Sequence, residues 1–402
     1  MRMKESVMTV ARRLEAGEVT SEALLLSYVS RIKEINGASC FAHLNIDGAI
    51  EAARASDERR REGKALGILE GVPFAAEDRF CTEQMPTQCN SALLEGYFPP
   101  YTADAVARLT DAGAVLIGKL RTRGFLSGEQ PMEGEPSVCR AVREGLIPFA
   151  LAADTGGELL RAESRDVAVI KPANGCISRL GMIASAPSLD GVAIVARTAE
   201  DCACVLNLFQ EGSVPDRPVR ITVGWNGADA DALCKRLERR GLDVACTSVE
   251  LPTQAVTAYR ILCAVEGASE LARYDGVRFG KCAEIGENAW ERAANTRAAY
   301  FSYGEKKRIL LGTALLTGEY REKCDQTARR WRAEIGRQMH ALTERSLLVL
   351  PKSTLSSVCG ALAELPMASA LGDVTVIGAC GSERQMLRVL GWLNREGACE
   401  NG

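Results

Sequence analysis

The segment Asp154-Thr155-Gly156-Gly157 is the one whose residue types best suit chemistry. It follows a strand-like apolar run, Phe149-Ala150-Leu151-Ala152-Ala153. Two adjacent glycines let the backbone turn its N–H groups toward one point. Such a nest binds an anion or stabilises a developing oxyanion. The same residues also suit a tight turn after a buried strand, which glycine alone makes without strain. Other reactive side chains do not assemble into a site. The chain has 15 cysteines and two histidines, His43 and His340. The cysteines are scattered through apolar stretches such as Ile261-Leu262-Cys263-Ala264-Val265, with no C-x-x-C pair. A metal needs clustered ligands, so reduced cysteines acting as small core residues are the expectation. Cys202-x-Cys204, at the start of a predicted helix, carries no metal assignment, and no cofactor is expected.

The elements that must position the turn read as alternating strands and helices. Thr20-Ser21 caps a helix whose apolar stripe is Leu24, Leu25, Tyr28, Val29, Ile32 and Ile35. A second helix runs from about Asp47 to Arg61 and stops at Gly63. Strands are expected at 71–76, 114–118, 149–153, 167–170, 221–224, 243–246, 347–350 and 374–377. Helices are expected at 103–112, 229–240, 253–273, 319–343 and 383–393. The strands are continuous apolar runs, which marks a sheet covered on both faces. The expectation is an α/β fold of α/β/α layers with a helical N-terminal segment. No repeat or Pro/Ser linker marks a boundary. A single domain over 1–402 is expected, with 1–65 helical, 66–210 the core and 211–402 the C-terminal part.

Charge is near balance at -3 and 47% of residues are hydrophobic, so direct, strong nucleic-acid binding is not indicated. The N-terminus has no apolar stretch like that of a secretory signal, and no run long enough to span a membrane occurs. A soluble, cytoplasmic protein is expected.

Four stretches carry a family resemblance. They are Leu66 to Asp78, with Gly71-Val72-Pro73; Pro86 to Lys119, ending Gly113-Ala114-Val115-Leu116-Ile117-Gly118-Lys119; Asp154-Thr155-Gly156-Gly157 with Lys171-Pro172, Ser178-Arg179-Leu180-Gly181 and Ser188-Leu189-Asp190; and Glu270 to Gly280 with Arg308-Ile309-Leu310-Leu311-Gly312-Thr313. The first three resemble the amidase-signature family. The fourth resembles the A (glutaminase) subunit of the tRNA-dependent amidotransferases within it. The match spans Val19 to Leu393.

The resemblance implies a central mixed sheet covered by helices on both faces, and hydrolysis of amides by a serine, with a bridging serine and a lysine base. A hydroxyl is a weak nucleophile unless a base takes its proton. On this register Glu77, in Ala76-Glu77-Asp78-Arg79, occupies the lysine position. Glu158, directly after Gly157, occupies the nucleophile position. Counting back the family spacing from Glu158 lands on Gly134, within Glu129-Gln130-Pro131-Met132-Glu133-Gly134-Glu135-Pro136. The loop before it is shortened by roughly a strand's length. Two carboxylates in place of a lysine and a serine reverse the local charge. Buried together, one would hold a proton or the site would open to water. With no nucleophile to use it, the 154–157 turn reads as structural. Arg308 is the candidate to hold a substrate carboxylate, against the plainer reading of a helix-surface arginine. The family's acidic contact for a substrate amine is missing.

The expected role is therefore a non-catalytic A-like subunit. It would scaffold B-type and C-type amidotransferase subunits in Gln-tRNA(Gln)/Asn-tRNA(Asn) formation, touching tRNA only through the complex. One alternative is an active amidase with altered residues, drawing on Ser137 or Cys139 near the lost serine segment. Their plainer reading is a loop and helix start, with Ser137 as N-cap. New carboxylate chemistry by Glu77 and Glu158 has no substrate logic behind it. A second alternative is a small-molecule sensor using the old pocket, where the two glutamates would favour a cationic ligand.

Overall fold

The computed structural model describes residues 5–122, 134–162, 166–210, 220–283, 286–370 and 373–397. Among them, eleven strands form one mixed sheet. They are β1 (Phe41–Leu44), β2 (Pro73–Glu77), β3 (Val115–Leu120), β4 (Phe149–Asp154), β5 (Ala168–Lys171), β6 (Gly191–Ala196), β7 (Arg220–Val223), β8 (Asp243–Cys246), β9 (Leu347–Pro351), β10 (Met367–Ser369) and β11 (Val374–Ile377). Their order is β1-β3-β2-β4-β6-β5-β10-β11-β9-β7-β8. Parallel pairs, β3 with β2 and β2 with β4, sit beside antiparallel ones such as β4 with β6 and β6 with β5. The helices of the described residues are α1 (Val7–Glu15), α2 (Ser21–Glu34), α3 (Ile46–Arg61), α4 (Asp104–Asp111), α5 (Ser137–Arg143), α6 (Ala199–Leu206), α7 (Ala228–Glu238), α8 (Gln254–Leu271), α9 (Ala289–Tyr300), α10 (Tyr303–Leu315), α11 (Gly318–Tyr320), α12 (Thr327–Thr343), α13 (Thr354–Leu362) and α14 (Glu383–Gly397). The α/β fold is the one the strand and helix alternation predicted, and the mixed sheet is the one the resemblance implied.

Local chemistry explains the elements nearest the site. Thr20 caps α2 by accepting the Ala23 N–H, and Leu24, Leu25, Tyr28, Val29 and Ile32 are buried at helical spacing. The centre of the sheet, β4 and β6, is buried on almost every residue, as a sheet covered on both faces requires. Phe74 of β2 and Phe149 of β4 are register partners whose rings stack at 5.4 Å. This contact fixes how the two strands slide past each other.

Some expectations change. The helix foreseen over 319–343 is interrupted: a π-helical turn at Arg321–Gln326 separates α11 from α12. Helical spacing of apolar residues does not register one extra residue in a turn. Strands β1, β6 and β10 and helices α1, α9, α10 and α13 were not foreseen. Several of them are short, polar or alanine-rich. Ser137 is the first residue of α5 rather than its N-cap, which is Pro136 and forms no side-chain cap. Cys202 and Cys204 both lie inside α6 and are buried, with the Cys202 thiol donating to the Ala168 and Ile194 carbonyls. Cys246, Cys282 and Cys380 are exposed, so the core-residue reading does not extend to them. Among the described residues no group of three His, Cys, Asp or Glu could hold a metal ion. No described helix is long and apolar enough to cross a membrane.

Helix α10 lies directly on α8. A Cβ placed on Gly312 would strike the Ala264 backbone carbonyl and come within 2.6 Å of the Ala268 Cβ. Alanine normally favours a helix over glycine by about 1 kcal/mol. Here backbone must move, and overpacking costs about 1–3 kcal/mol. Gly312→Ala is therefore expected to lower the denaturant midpoint. A midpoint above that of the unaltered chain would show that the two helices are free to separate.

Candidate functional site

Strands β2 and β4 run parallel with Phe74 opposite Phe149 and Ala76 opposite Leu151. Their C-terminal ends therefore emerge together, the usual place for sites in such sheets. Glu77 ends β2 and Asp154 ends β4. The Glu77 Oε2 accepts the Ala153 N–H at 2.7 Å, so its side chain crosses to the neighbouring strand. Burial raises the Glu77 carboxyl above its ordinary value. The Arg79 charge and the Thr122 and Ala153 donors only partly offset that.

The turn after β4 closes on itself. Asp154 accepts the Gly157 N–H at 2.5 Å and the Leu159 N–H at 2.9 Å. Gly157 takes φ +78°, a conformation suited to glycine. A Cβ on Gly156 would meet the Tyr259 ring at 2.5 Å. The N–H groups of Thr155 and Gly156 point at one acceptor, and that acceptor is Glu158. Its Oε2 accepts them at 3.1 and 2.9 Å. Its Oε1 accepts the Tyr259 hydroxyl at 2.6 Å. Burial would raise this carboxyl, but the Arg161 charge and the donors outweigh it and hold Glu158 below its ordinary value. Asp154 moves the other way, raised by burial and then by the Glu158 charge, with Lys171 opposing.

Asp190 braces the turn from beneath. Its Oδ1 accepts the Thr155 hydroxyl at 2.6 Å. Its Oδ2 accepts the Ser185 and Ala186 N–H groups and pairs with Arg79 at 3.2 Å. Both partners of that ion pair are nearly fully buried. Lys171, also buried, donates to the carbonyls of Thr155 and Leu189 and lies 3.6 Å from the Asp154 Oδ1. On the helical side Tyr259 and Cys263 are neighbours one turn apart on α8. The Arg308 charge on α10 reaches the Cys263 thiol and partly opposes the burial that raises it. Arg308 is only 4% exposed, so it is not a helix-surface arginine. Among the described residues it has no hydrogen-bond or ion-pair partner.

The structure thus brings Glu77, the 154–157 turn and Glu158 to adjoining strand ends. It ties Glu158 to Tyr259 of α8, one turn before Cys263, whose thiol feels the Arg308 charge. Gly134 is exposed, at φ +81°, with nothing within 4 Å of an added Cβ. Residues 129–133 beside it lie outside the described residues. Cys139 is fully buried. His43 pairs with Gln88 at 3.2 Å. A cleft of about 660 Å³ lined by Glu51, Arg59, Thr82 and Thr110 includes none of the turn residues. Sequence reasoning missed Tyr259, Cys263, Arg79 and the bracing role of Asp190. Tyr259 lies 101 residues from Glu158 and Arg79 lies 111 from Asp190, so no local pattern joins them.

The raised Glu77 carboxyl has a consequence for stability. Between its ordinary and its folded pKa the native state binds the proton more readily than the unfolded chain. Stability contributed by this group therefore falls as pH rises through that window and stays lower above it. Glu77→Gln keeps an acceptor for the Ala153 N–H and removes the buried charge. It is expected to melt at or above the unaltered chain near neutral pH, with the gap narrowing on acidification. A gap that widens on acidification would contradict the assignment.

Comparison with known proteins extends the geometry. The family model described as Amidase matches residues 23–134. The A subunit of the glutamyl-tRNA(Gln) amidotransferase from Chloroflexus aurantiacus is 33% identical, over 92% of this chain and 87% of that protein. Its counterpart from Moorella thermoacetica is 32% identical, over 90% of this chain and 85% of its own length. Among solved structures, the crystal structure of an amidase superposes with a TM-score of 0.77 at 22% identity, covering 98% of this chain and all of that one. The peptide amidase of Stenotrophomonas maltophilia gives 0.77 at 22% identity, covering 97% of this chain and 96% of that one. At that identity the structures speak for the fold alone.

Proposed function

This chain belongs to the amidase signature family, and on that premise we propose that it is a non-catalytic, single-domain relative of the amidotransferase A-type glutaminase. In this reading it scaffolds B-type and C-type subunits in the cytoplasm and releases no ammonia itself. One observation carries the reading. The residue following the glycine turn is a carboxylate already bound by the two N–H groups that would steady an oxyanion. A carboxylate has no proton to surrender and makes a poor acyl carrier beside a filled anion site. Glu77, aligned with the family's lysine, likewise offers an acceptor where an amine base is needed. The core and the bracing of the turn by Asp190 remain, which is what a retained scaffold requires.

Two assays on the purified chain test this. Ammonia release from glutamine should stay at the no-protein background, and the chain should co-purify in fixed ratio with B- and C-type subunits from its own source. Glutamine turnover that Ser137→Ala abolishes would replace this reading with an active amidase of altered residues. Arg308, buried and with no hydrogen-bond or ion-pair partner among the described residues, favours a second reading, a sensor in the old pocket that holds an anionic small molecule rather than the cationic one the two glutamates suggested. Thermal-shift screening with amino acids and amides separates the two, because a ligand bound only by the native state raises its stability.

A further inference from the structure

We propose that Glu158 is an internal ligand: its carboxylate fills the Thr155–Gly156 nest and closes it to external carboxylates, so that removing this side chain turns the nest into a receptor for a small free carboxylate. The inference deepens the reading above, since it rests on the same turn. Three features distinguish this contact from an ordinary local turn bond.

The first is that both carboxylate oxygens are held, and by different parts of the chain. Oε2 takes two backbone donors at 2.9 and 3.1 Å, and Oε1 takes the Tyr259 hydroxyl at 2.6 Å from α8. Three donors converging on one carboxylate make a receptor for that group. The second is that the receptor is held in shape without Glu158. Thr155 is tied to Asp190, Asp154 holds the Gly157 and Leu159 N–H groups, and Lys171 holds the Thr155 carbonyl. Taking away the Glu158 side chain leaves those bonds in place. The third is charge. Arg161, which donates to the Gly156 carbonyl at 2.7 Å, stands beside the carboxylate. Arg308 stands beyond Cys263 with no partner of its own among the described residues. An emptied nest would therefore present buried N–H donors with the Arg161 charge beside them and the Asp154 carboxylate as the opposing charge. Formate or acetate is the smallest molecule that restores what Glu158 supplied. Since leaving buried donors unpaired is costly, the emptied site should take one up.

The experiment measures the melting midpoint of the full chain, Glu158→Ala and Glu158→Gln in rising sodium formate or acetate, against sodium chloride of equal ionic strength. Glu158→Ala should melt lower in chloride and recover with formate in a saturable way. The unaltered chain and Glu158→Gln, whose amide oxygen still fills the nest, should show no difference between the salts. Adding Tyr259→Phe to Glu158→Ala should weaken the formate response roughly tenfold, the worth of a hydrogen bond to a charged group. Glu158→Ser takes the place of the alanine variant if the latter does not fold. The proposal is overturned if formate acts no differently from chloride on the emptied variant, or acts equally on the unaltered chain. A failure here leaves the ammonia and co-purification results intact, and those assays can fail while the formate response stands, so the two readings are separable.

Discussion

Asp190→Ala should cost about 3–5 kcal/mol of stability, the range for removing one partner of a buried ion pair. The loss falls on several groups at once. Arg79 keeps its charge in the interior, with only the Ile183 carbonyl, among the described residues, left to accept from it. The Ser185 and Ala186 N–H groups and the Thr155 hydroxyl lose their acceptor. Asp190→Asn, which retains an oxygen on the same carbon, should recover part of the loss. Urea unfolding with an unchanged slope reads the difference directly. A drop under about 1 kcal/mol would mean that water reaches this pair and screens it as at a surface. The same substitution frees Thr155, so the turn that holds Glu158 should loosen with it.

The second large effect belongs to Lys119. It is fully buried on β3, donates to the Thr87 hydroxyl at 2.8 Å and lies 3.3 Å from the equally buried Asp78. Burial lowers the lysine and raises the aspartate. Both groups are thus pushed toward neutrality, so desolvation outweighs their attraction. Lys119→Met alone leaves the buried Asp78 carboxyl with the Gln88 N–H but without its cation, and should cost about 3–5 kcal/mol. Lys119→Met with Asp78→Asn removes both charges and should regain most of that loss. A double variant as unstable as the sum of the singles would show that shape, not charge, governs this corner of the fold.

Much of the fold was legible in the chain. Amphipathic spacing located α2, and continuous apolar runs located β2, β3 and β4. Residues such as Ile221 and Leu348 marked strands in the C-terminal half in the same way. Short or polar elements were not legible. β1 is only Phe41–Leu44, and β10 only Met367–Ser369. Elements of that length gain their order from neighbouring strands, so their own residues carry little signal. The π-helical turn before α12 escaped for a related reason. One extra residue in a turn is decided by packing against α8 and α10, and its sequence still looks helical.

At the site the division is sharper. Residue order alone set the chemistry on offer: a glycine turn with N–H donors, a glutamate directly after it, and a second glutamate at the end of β2. It also determined the family, because long stretches keep the residues that strands, turns and helix contacts need. The tertiary structure decided where those groups point. Only the pairing of β2 with β4 carries the Glu77 carboxylate to the Ala153 N–H. Only the packing of α8 over the turn brings the Tyr259 hydroxyl to Glu158, and only α10 takes Arg308 out of water. The reason is physical. A side chain's type fixes what it can donate or accept, but its partner is fixed by which distant segments burial forces together.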